Sequence, residues 1–592
     1  MSTPQRAAAA PPSMLREALL SQRGAYTHIG WLSAVIGVLT LAPSWFMFEV
    51  YGRVLNSRNA TTLLMLLLLV FVVYAVIELL DLVRNRALQR AGEAVDEQLR
   101  ARVFDAAFEA NLRRQPGGSV QAFNDLRTLR EFFGAQPVRA VLDAPAAVLC
   151  LVLLFTLSPW LGVLALIGAL IQVGLTVLTE RRTMPLLTEA QQASIQATAY
   201  AGNTMRNAQV IESMGMLGQI HQRWMRIQRR FLARQAQASD YAGVNSAVAK
   251  LVQQMQGSLM LGAACWLMLQ GGLWGGPGMM IVASILGARV LSPLAQLVGQ
   301  WRSVVQVRDA YGRLDNLLGR LTVTPAGMPL PPPKGQLSVE GVVAGAPGST
   351  LPIIRGVTFA VRPGEVLAVI GPSASGKSTL ARLLVGVWPA ASGKVRLDGA
   401  DVHAWNKAEL GPQLGYMPQT VELFDGTVAE NIARFGRVDT AKVRAAAELV
   451  GMVDVIEALP QGFDTRIGDE GAVLSGGQRQ RLGLARAVYG APKFLVLDEP
   501  NASLDEAGEK ALLQMLGVLK SQGTTVVAIT HRTTLMPAVD KLLVLADGQQ
   551  KFFGPRDEVM AALKKANDQM RAQAESRQAA TRRPALPGGS AA

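Results

Sequence analysis

The sequence predicts a chain of two parts: an α-helical membrane domain with six spans, followed by a soluble α/β domain with a largely parallel sheet. Of the 592 residues, 50% are hydrophobic and 17% are charged, whereas soluble domains carry about 25% charged residues. Long apolar runs occupy the first half, and short β-rich runs alternate with helical patterns in the second. This composition argues against a wholly soluble enzyme and excludes a disordered or fibrous protein. The two cysteines are too few for a disulfide framework or a four-cysteine zinc site.

The membrane domain is predicted from six apolar runs. A bilayer core about 30 Å thick requires about 20 residues of helix. The fifth run is the weakest, because Lys250 and the glutamines that follow it precede only a short apolar stretch. The six predicted spans are residues 30–50, 61–80, 138–157, 161–178, 257–269 and 279–298.

The chain has a net charge of +14, and the distribution of its positive charges predicts the orientation of the spans. The long connections 81–137 and 180–244 carry nine and eight arginines, whereas Arg53 and Arg58 are the only positive charges in the short connections on the other side. By the positive-inside rule, we expect both termini and both long connections to be cytoplasmic. The positive charge is therefore explained by topology, and nucleic-acid binding is disfavoured.

Composition also predicts the domain boundaries. Residues 325–334 contain a run of prolines that is typical of a semi-rigid linker. No cleavable signal is expected before the first span. We expect a cytoplasmic N-terminal segment at 1–27, the membrane domain at 28–324, the linker at 325–334, the α/β domain at 335–564 and a flexible tail at 565–592.

A glycine-rich motif lies between a predicted strand at 366–370 and a predicted helix at 379–387. Its glycines let backbone N–H groups point at phosphate oxygens, and a helix N-terminus favours negative charge there. The pattern predicts that Lys377 pairs with the β- and γ-phosphates of a nucleotide and that Ser378 ligates Mg²⁺. The motif consists of Gly371, Pro372, Ser373, Ala374, Ser375, Gly376, Lys377, Ser378 and Thr379.

Two further segments complete the phosphate chemistry. Asp498 and Glu499 end a predicted strand at 493–497, so Asp498 can hold the Mg²⁺ shell and Glu499 can accept a proton from the attacking water. A Gly-Gly turn before a predicted helix is a second candidate anion site. Its residues are Ser475, Gly476, Gly477 and Gln478.

In this order and spacing, the motifs resemble the nucleotide-binding domain of the ABC (ATP-binding cassette) superfamily over residues 335–564. The resemblance implies that ATP and Mg²⁺ are bound, with Ser378, Gln419 and Asp498 around the metal. It implies catalytic roles for Glu499, for Gln419 in the Q-loop and for the switch histidine His531, and it places the D-loop at 503–505. The family has an aromatic residue that stacks on adenine, but the matching stretch 339–348 contains none.

In the ABC superfamily two nucleotide-binding domains face each other head to tail. Each ATP then lies between the glycine-rich loop of one copy and the turn at 475–478 of the other. One chain carries a single set of motifs, so the resemblance implies a homodimer.

Six spans ahead of one nucleotide-binding domain resemble an ABC exporter. Residues 46–55, 125–133, 142–145, 279–293 and 421–432 are similar to the protease/lipase-type branch of the type I secretion ATPases. This implies ATP-driven export of an unfolded polypeptide, with a C-terminal signal, across the bacterial inner membrane. The implied partners are a periplasmic membrane-fusion adaptor and a TolC-like outer-membrane channel. Residues 120–130 and 203–213 are candidates for the coupling helices of such an exporter.

Two other functions share these motifs. An exporter of lipids or small amphiphiles would have the same nucleotide-binding residues and would need no adaptor or outer channel. An ATP-gated channel or regulatory scaffold would bind nucleotide without substrate-coupled hydrolysis, and Glu499 and His531 argue against it. In the membrane domain, we expect Asp143 either to line the transport path, to hold helices together beside Pro145, or to lie at the water boundary.

Overall fold

The computed structural model describes residues 13–581, apart from 114, 116–117, 274–275, 321–327, 350 and 469–473. The chain folds into two compact units, Met1–Thr322 and Val323–Ala592. Each of the five predicted segments includes residues outside the described ones, among them the N-terminal segment up to residue 12, the linker at 325–327 and the tail from residue 582.

The first unit is helical throughout its described residues. A π-helical turn, Val50–Val54, lies between its third and fourth helices. The helices are α1 (Met14–Ser21), α2 (Arg23–Leu39), α3 (Ala42–Glu49), α4 (Leu55–Ser57), α5 (Ala60–Leu112), α6 (Gln121–Phe133), α7 (Gln136–Leu157), α8 (Pro159–Arg206), α9 (Ala208–Ser213), α10 (Leu217–Leu269), α11 (Pro277–Gly299) and α12 (Trp301–Leu318).

Three of these helices are much longer than a membrane is thick. α5, α8 and α10 have 53, 48 and 53 residues, which corresponds to about 70–80 Å at 1.5 Å per residue. A bilayer core is only about 30 Å thick. The long basic connections predicted from the sequence are therefore mostly helical continuations of the spans.

Five helical stretches among the described residues are long and apolar enough to cross a membrane: Arg23–Ser57, Ala60–Leu112, Gln121–Leu157, Pro159–Arg206 and Pro277–Gly299. The predicted number of six is not confirmed. The missing candidate is in α10, where the apolar part is short and follows polar residues. α10 packs along α8 and α11, which both belong to the qualifying stretches.

Two apolar clusters hold the first unit together. One joins α1, α5, α6 and α12 around residues such as Leu99, Leu126 and Leu314. The other joins α7, α8, α10 and α11 around Leu154, Leu161 and Met260, for example. The apolar window of α5 is only 6% buried within the protein, as expected for a helix whose apolar side faces lipid.

The two predicted coupling segments differ in their surroundings. Residues 120–130 fall mostly within α6, whose Ala122, Leu126 and Leu129 are buried in the cluster shared with α5 and α12. Residues 203–213 fall at the turn between α8 and α10, where α9 is exposed apart from Ile211. Both segments have exposed side chains, but α6 buries one face in the unit whereas α9 buries only Ile211.

A buried arginine connects two helices of the first unit. Arg84 on α5 is 4% exposed and lies 2.6 Å from Asp143 Oδ1 on α7 and 2.5 Å from Asp81 Oδ1 on its own helix. The Asp143 side chain is 38% exposed. Of the roles expected for Asp143, this geometry favours holding helices together.

The second unit combines helices with two sheets. Among its described residues, the 3₁₀ turns Gly411–Gln413, Gly462–Asp464 and Thr533–Ala538 connect the elements. The strands are β1 (Leu337–Ala344), β2 (Ile354–Val361), β3 (Val366–Ile370), β4 (Ser392–Leu397), β5 (Ala400–Asp401), β6 (Leu414–Met417), β7 (Phe494–Asp498), β8 (Thr525–Ile529), β9 (Lys541–Ala546) and β10 (Gln549–Pro555). The helices are α13 (Lys377–Leu384), α14 (Lys407–Leu410), α15 (Val428–Ile432), α16 (Thr440–Leu449), α17 (Val453–Glu457), α18 (Gly476–Val488), α19 (Glu506–Ser521) and α20 (Arg556–Thr581).

The larger sheet has the strand order β10-β9-β3-β8-β7-β6, and the smaller has β2-β1-β4-β5. From β9 to β6 all neighbouring strands are parallel, and only β10 is antiparallel. Successive residues of β7, such as Leu495 and Val496, face two different apolar cores. A parallel sheet buried on both faces requires such apolar strands, and the predicted α/β domain is confirmed.

Candidate functional site

The sheet order brings the predicted site residues to one edge. Gly371 follows β3, His531 follows β8, Asp498 ends β7 and Gln419 follows β6, and these four strands are neighbours in that order. Because they run parallel, their carboxyl ends meet at the same edge of the sheet, where ligands of open α/β sheets bind.

The phosphate loop, residues 371–379, connects β3 to α13 in a backbone conformation that favours glycine. Gly371 and Gly376 have φ of +156° and +96°, and Ala374 between them has +64°. A Cβ atom at Gly371 would lie 2.1 Å from the Leu545 carbonyl oxygen of β9. No side chain fits there, so the loop keeps close to the sheet and presents its amides at the start of α13.

Lys377 lies inside this loop. Its ammonium donates to the carbonyl oxygens of Gly371 at 2.9 Å and Pro372 at 2.8 Å. Burial lowers the pKa of Lys377, while the carboxylates of Glu499 and Asp498 oppose that shift. The ammonium is therefore held beneath the loop near two acids, where a phosphate would compete for its N–H donors.

Two buried oxygen atoms near the loop lack protein partners among the described residues: Ser375 Oγ and Asp498 Oδ1. Asp498 is 2% exposed. Its burial raises its pKa, and a hydrogen bond with Ser378 acts in the opposite direction. A carboxylate oxygen left free beside a serine hydroxyl is a donor set that suits Mg²⁺, so these residues fit the predicted metal site.

Glu499 is the centre of a small polar cluster. Its Oε2 accepts a hydrogen bond from Gln419 Nε2 at 3.2 Å, and its Oε1 lies 3.3 Å from His531 Nε2. The Glu499 side chain is 24% exposed and that of His531 42%, so water can reach both. The three residues predicted as catalytic thus lie together at the edge of the sheet.

The signature turn, residues 475–478, begins α18 with a capping box. Gln478 N–H donates to Ser475 Oγ at 3.3 Å, and Ser475 N–H donates to Gln478 Oε1 at 2.9 Å. The turn touches the D-loop, since a Cβ at Gly477 would lie 2.9 Å from the Ser503 carbonyl oxygen. No hydrogen bond found among the described residues joins this turn to the phosphate loop of the same chain.

The stretch 339–348, which lacks the adenine-stacking aromatic residue of the family, forms most of β1 and the start of the hairpin that leads to β2. Ala346 is half-buried against the core beneath the hairpin, and Leu351 is 76% exposed. Ile353 lies beside the phosphate loop, since a Cβ at Gly376 would be 3.3 Å from Ile353 Cγ2. The described part of this hairpin therefore offers aliphatic side chains instead of a ring.

Sequence analysis missed two buried amides behind this site. Gln480 is 5% exposed and bonds to the backbone of Glu499 and of Ser503. Asn501, 2% exposed, bonds to Thr534 Oγ1 at 3.2 Å and accepts from Thr530 Oγ1 at 3.3 Å. The signal for Gln480 was weak, because it is one of four consecutive polar residues, 478–481.

The arrangement combines the groups that phosphoryl transfer requires. A loop of amides and Lys377 can hold phosphates, Asp498 and Ser378 can hold a divalent cation, and Glu499 can accept a proton. This chemistry is hydrolysis of a nucleoside triphosphate.

Comparisons with known proteins agree with this chemistry. The family model "ABC transporter" matches residues 354–502, and "ABC transporter transmembrane region" matches residues 28–287. The type I secretion system ATP-binding protein PrsD of Rhizobium meliloti is 38% identical over 95% of this chain and 96% of its own length. The cyclolysin secretion/processing ATP-binding protein CyaB of Bordetella pertussis is 28% identical over 92% of this chain and 77% of its own.

Other comparisons point the same way. The leukotoxin translocation ATP-binding protein LktB of Mannheimia haemolytica is 26% identical over 90% of this chain and 76% of its own. A solved structure of a bacterial Atm1-family ABC exporter with ATP bound has the same fold, with a TM-score of 0.80 at 23% identity over 96% of this chain and 99% of that one. The protein is therefore a membrane-embedded ATPase that belongs to the ABC exporters of the type I secretion family.

Proposed function

We propose that this protein is the ABC component of a type I secretion system, which hydrolyses ATP to export an unfolded polypeptide across the bacterial inner membrane. The observation that carries the proposal is the complete hydrolytic cluster, in which Glu499 contacts both Gln419 and His531. The similarity to PrsD over nearly the full length of both chains supports the secretion role.

Each residue of the cluster has a distinct role in this proposal. Residues 371–379 bind the phosphates of ATP, with Lys377 at the β- and γ-phosphates. Ser378, Asp498 and Gln419 hold Mg²⁺, which supplies positive charge to the phosphate oxygens. Glu499 accepts the proton of the attacking water, and His531 contacts the γ-phosphate and orients the Glu499 carboxylate.

The protein acts as a homodimer in this proposal. The signature turn forms no hydrogen bond with the phosphate loop among the described residues of one chain, yet its capped helix N-terminus suits an anion. Residues 475–478 of one copy therefore complete the ATP site of the other. Two such sites form in a head-to-tail pair.

Transport couples to this cycle through the membrane unit. The exposed α9 at the turn between α8 and α10 is the proposed coupling element. The arginine distribution supports a cytoplasmic location for both termini and for the nucleotide-binding unit. The cargo carries its signal at its C-terminus, and a periplasmic membrane-fusion adaptor and a TolC-like channel continue the path outward.

The ATPase rate of the purified full-length protein in nanodiscs tests the proposal. C-terminal peptides of candidate secreted proteins are added, with the same peptides in scrambled order as controls. We expect one peptide to change the rate of the wild type and no hydrolysis in Lys377→Ala, which lacks the phosphate-binding ammonium. Peptide-insensitive hydrolysis that responds to lipids or amphiphiles would instead indicate the small-molecule exporter, and hydrolysis retained in Lys377→Ala would refute the site.

A further inference from the structure

Gln480 connects two segments that the proposed ATPase cycle uses separately. Its Nε2 donates to the Glu499 carbonyl oxygen at 3.0 Å, and its Oε1 accepts from the Ser503 N–H of the D-loop at 2.7 Å. The side chain is 5% exposed, so water does not compete for these bonds. A buried amide that is bonded through both its nitrogen and its oxygen fixes the position of the groups it binds.

The backbone of Glu499 needs such support. Its φ is +54°, in the left-handed region, which a non-glycine residue keeps only where its surroundings hold it. The Glu499 N–H donates to Ile529 O at 2.9 Å, and the Glu499 carbonyl also accepts from Ala502 N–H at 3.2 Å. Among these bonds, only the one from Gln480 comes from a side chain, and that side chain belongs to another helix.

The helix that carries Gln480 also begins with the signature turn. α18 starts at Gly476 with Ser475 as its cap, and Gly477 is packed against the Ser503 carbonyl. α18 therefore touches the D-loop at two points and the Glu499 backbone at one. Gln480 lies on the same helix as the signature turn and bonds directly to the Glu499 backbone.

We propose that Gln480 is a positioning residue for ATP hydrolysis, which connects Glu499 and the D-loop to α18. The Glu499 carboxylate then points at the attacking water only when the signature turn lies against the ATP bound by the partner copy. The inference rests on the proposed function, in which Glu499 is the base and residues 475–478 serve the ATP bound by the partner copy. Gln480 then connects the signature turn that serves one ATP to the base that acts on the other.

The test uses Gln480→Leu in the full-length protein in nanodiscs, with basal ATP hydrolysis and trapped ATP as readouts. Leucine has a similar volume and forms neither hydrogen bond. Because Gln480 forms no hydrogen bond with the phosphate loop among the described residues, we expect the KM for ATP to change by less than about threefold. We expect kcat to fall by about 10–100-fold, the loss that a small misplacement of a reacting group causes. The variant should accumulate a closed, ATP-bound dimer.

Two further variants separate positioning from a folding defect. Gln480→Glu keeps the acceptor for Ser503 N–H but loses the donor to the Glu499 carbonyl, so kcat should fall in this variant as well. Gln550→Leu is the matched control: Gln550 also accepts a backbone N–H, from Thr358 at 3.2 Å, but it lies on β10. It should keep wild-type kcat.

The outcomes are distinct from those that test the cargo. A wild-type kcat in either folded Gln480 variant would overturn the proposal. A lower kcat with a raised KM and no trapped ATP would also overturn it, because that result indicates a damaged signature turn. Peptide-insensitive hydrolysis would contradict the secretion role. It would leave the Gln480 test unaffected, because that test measures basal ATP hydrolysis without added peptide.

Discussion

Glu499 Oε1 lies 3.3 Å from His531 Nε2, although the two residues follow different strands, β7 and β8. These strands are neighbours and parallel, with Asp498 aligned with Ile529. The residues that follow each strand therefore emerge side by side. The other carboxylate oxygen of Glu499, Oε2, accepts a hydrogen bond from Gln419 Nε2 at 3.2 Å.

Glu499→Gln should bind ATP and fail to hydrolyse it. The amide cannot accept a proton from water at neutral pH, while residues 371–379 are unchanged and still hold the phosphates. We expect kcat to fall by about 10²–10⁴-fold, with trapped ATP measurable after gel filtration. Glu506→Gln, which neutralises an exposed acid at the start of α19, is the control and should keep the wild-type rate. Normal steady-state hydrolysis in Glu499→Gln would remove Glu499 from the role of base.

His531→Ala should impair hydrolysis more than ATP binding. The imidazole contacts the Glu499 carboxylate and does not belong to the phosphate loop, so its loss should lower kcat with a smaller effect on the Kd for ATP. Binding of a fluorescent ATP analogue and steady-state hydrolysis provide the two numbers. His403→Ala, in an exposed residue bonded to the Gly386 carbonyl, is the matched control. Selective loss of binding would show that His531 is structural.

The position of the site could be predicted because it follows from strand order. The apolar β-rich runs 366–370, 493–497 and 525–529 end close to Gly371, Asp498 and His531. Since such runs predict strands of a parallel sheet, their carboxyl ends are expected to meet at one edge of the sheet. The role of Gln480 could not be predicted in this way. Its partners are backbone atoms 19 and 23 residues away, and no side-chain pattern marks a backbone carbonyl as an acceptor.

The number of spans was harder to predict because each polar residue lowers the mean hydropathy of a helix, even where a neighbouring helix accepts its hydrogen bonds. In α10, Asn245 donates to Thr179 Oγ1 at 2.8 Å, and Gln256 donates to the Leu164 carbonyl at 3.1 Å. Both side chains therefore form hydrogen bonds with α8. Their pairing depends on how two helices pack, which a single helix does not specify.

Arg84→Ala should reduce the amount of folded protein more than Asp143→Asn does. Removal of the buried guanidinium leaves Asp81 and Asp143 without their shared partner. Their side chains are 27% and 38% exposed, so solvent screening should keep the cost below the ~3–5 kcal/mol of a fully buried pair. Asp143→Asn keeps a hydrogen-bond acceptor for Arg84 and should cost less. Thermal midpoints and membrane levels of the full-length protein are the measurements.

The exposed pair of Arg127 and Glu131 provides the control for this prediction. Its side chains are 69% and 57% exposed, so Arg127→Ala should cost less than about 1 kcal/mol. If Asp143→Asn destabilises the protein as much as Arg84→Ala, the charge of the Asp143 carboxylate stabilises the protein through more than its contact with Arg84. Unchanged stability together with lost export would favour a role of Asp143 in the transport path.

The stability of the nucleotide-binding unit should depend on pH through Lys407. Burial lowers the pKa of its ammonium to about 8, from 10.5 in an unperturbed lysine, and Asp401 opposes the shift. Between pH 8 and 10.5 the unfolded state binds this proton and the folded state does not, so stability rises with pH across this window. The cost of burying the charge is fully present below pH 8.

Lys407→Met removes this titration. The ammonium donates to the Val402 carbonyl at 2.5 Å, but the residue as a whole is exposed, so solvent screening limits the effect to about 1 kcal/mol. Relative to the variant, the wild type should gain thermal stability as the pH rises from 8 to 10. Lys510→Met, in an exposed lysine of α19, should show no such change. Parallel stability curves for wild type and Lys407→Met across this range would show that the ammonium is as well solvated in the folded protein as in the unfolded chain.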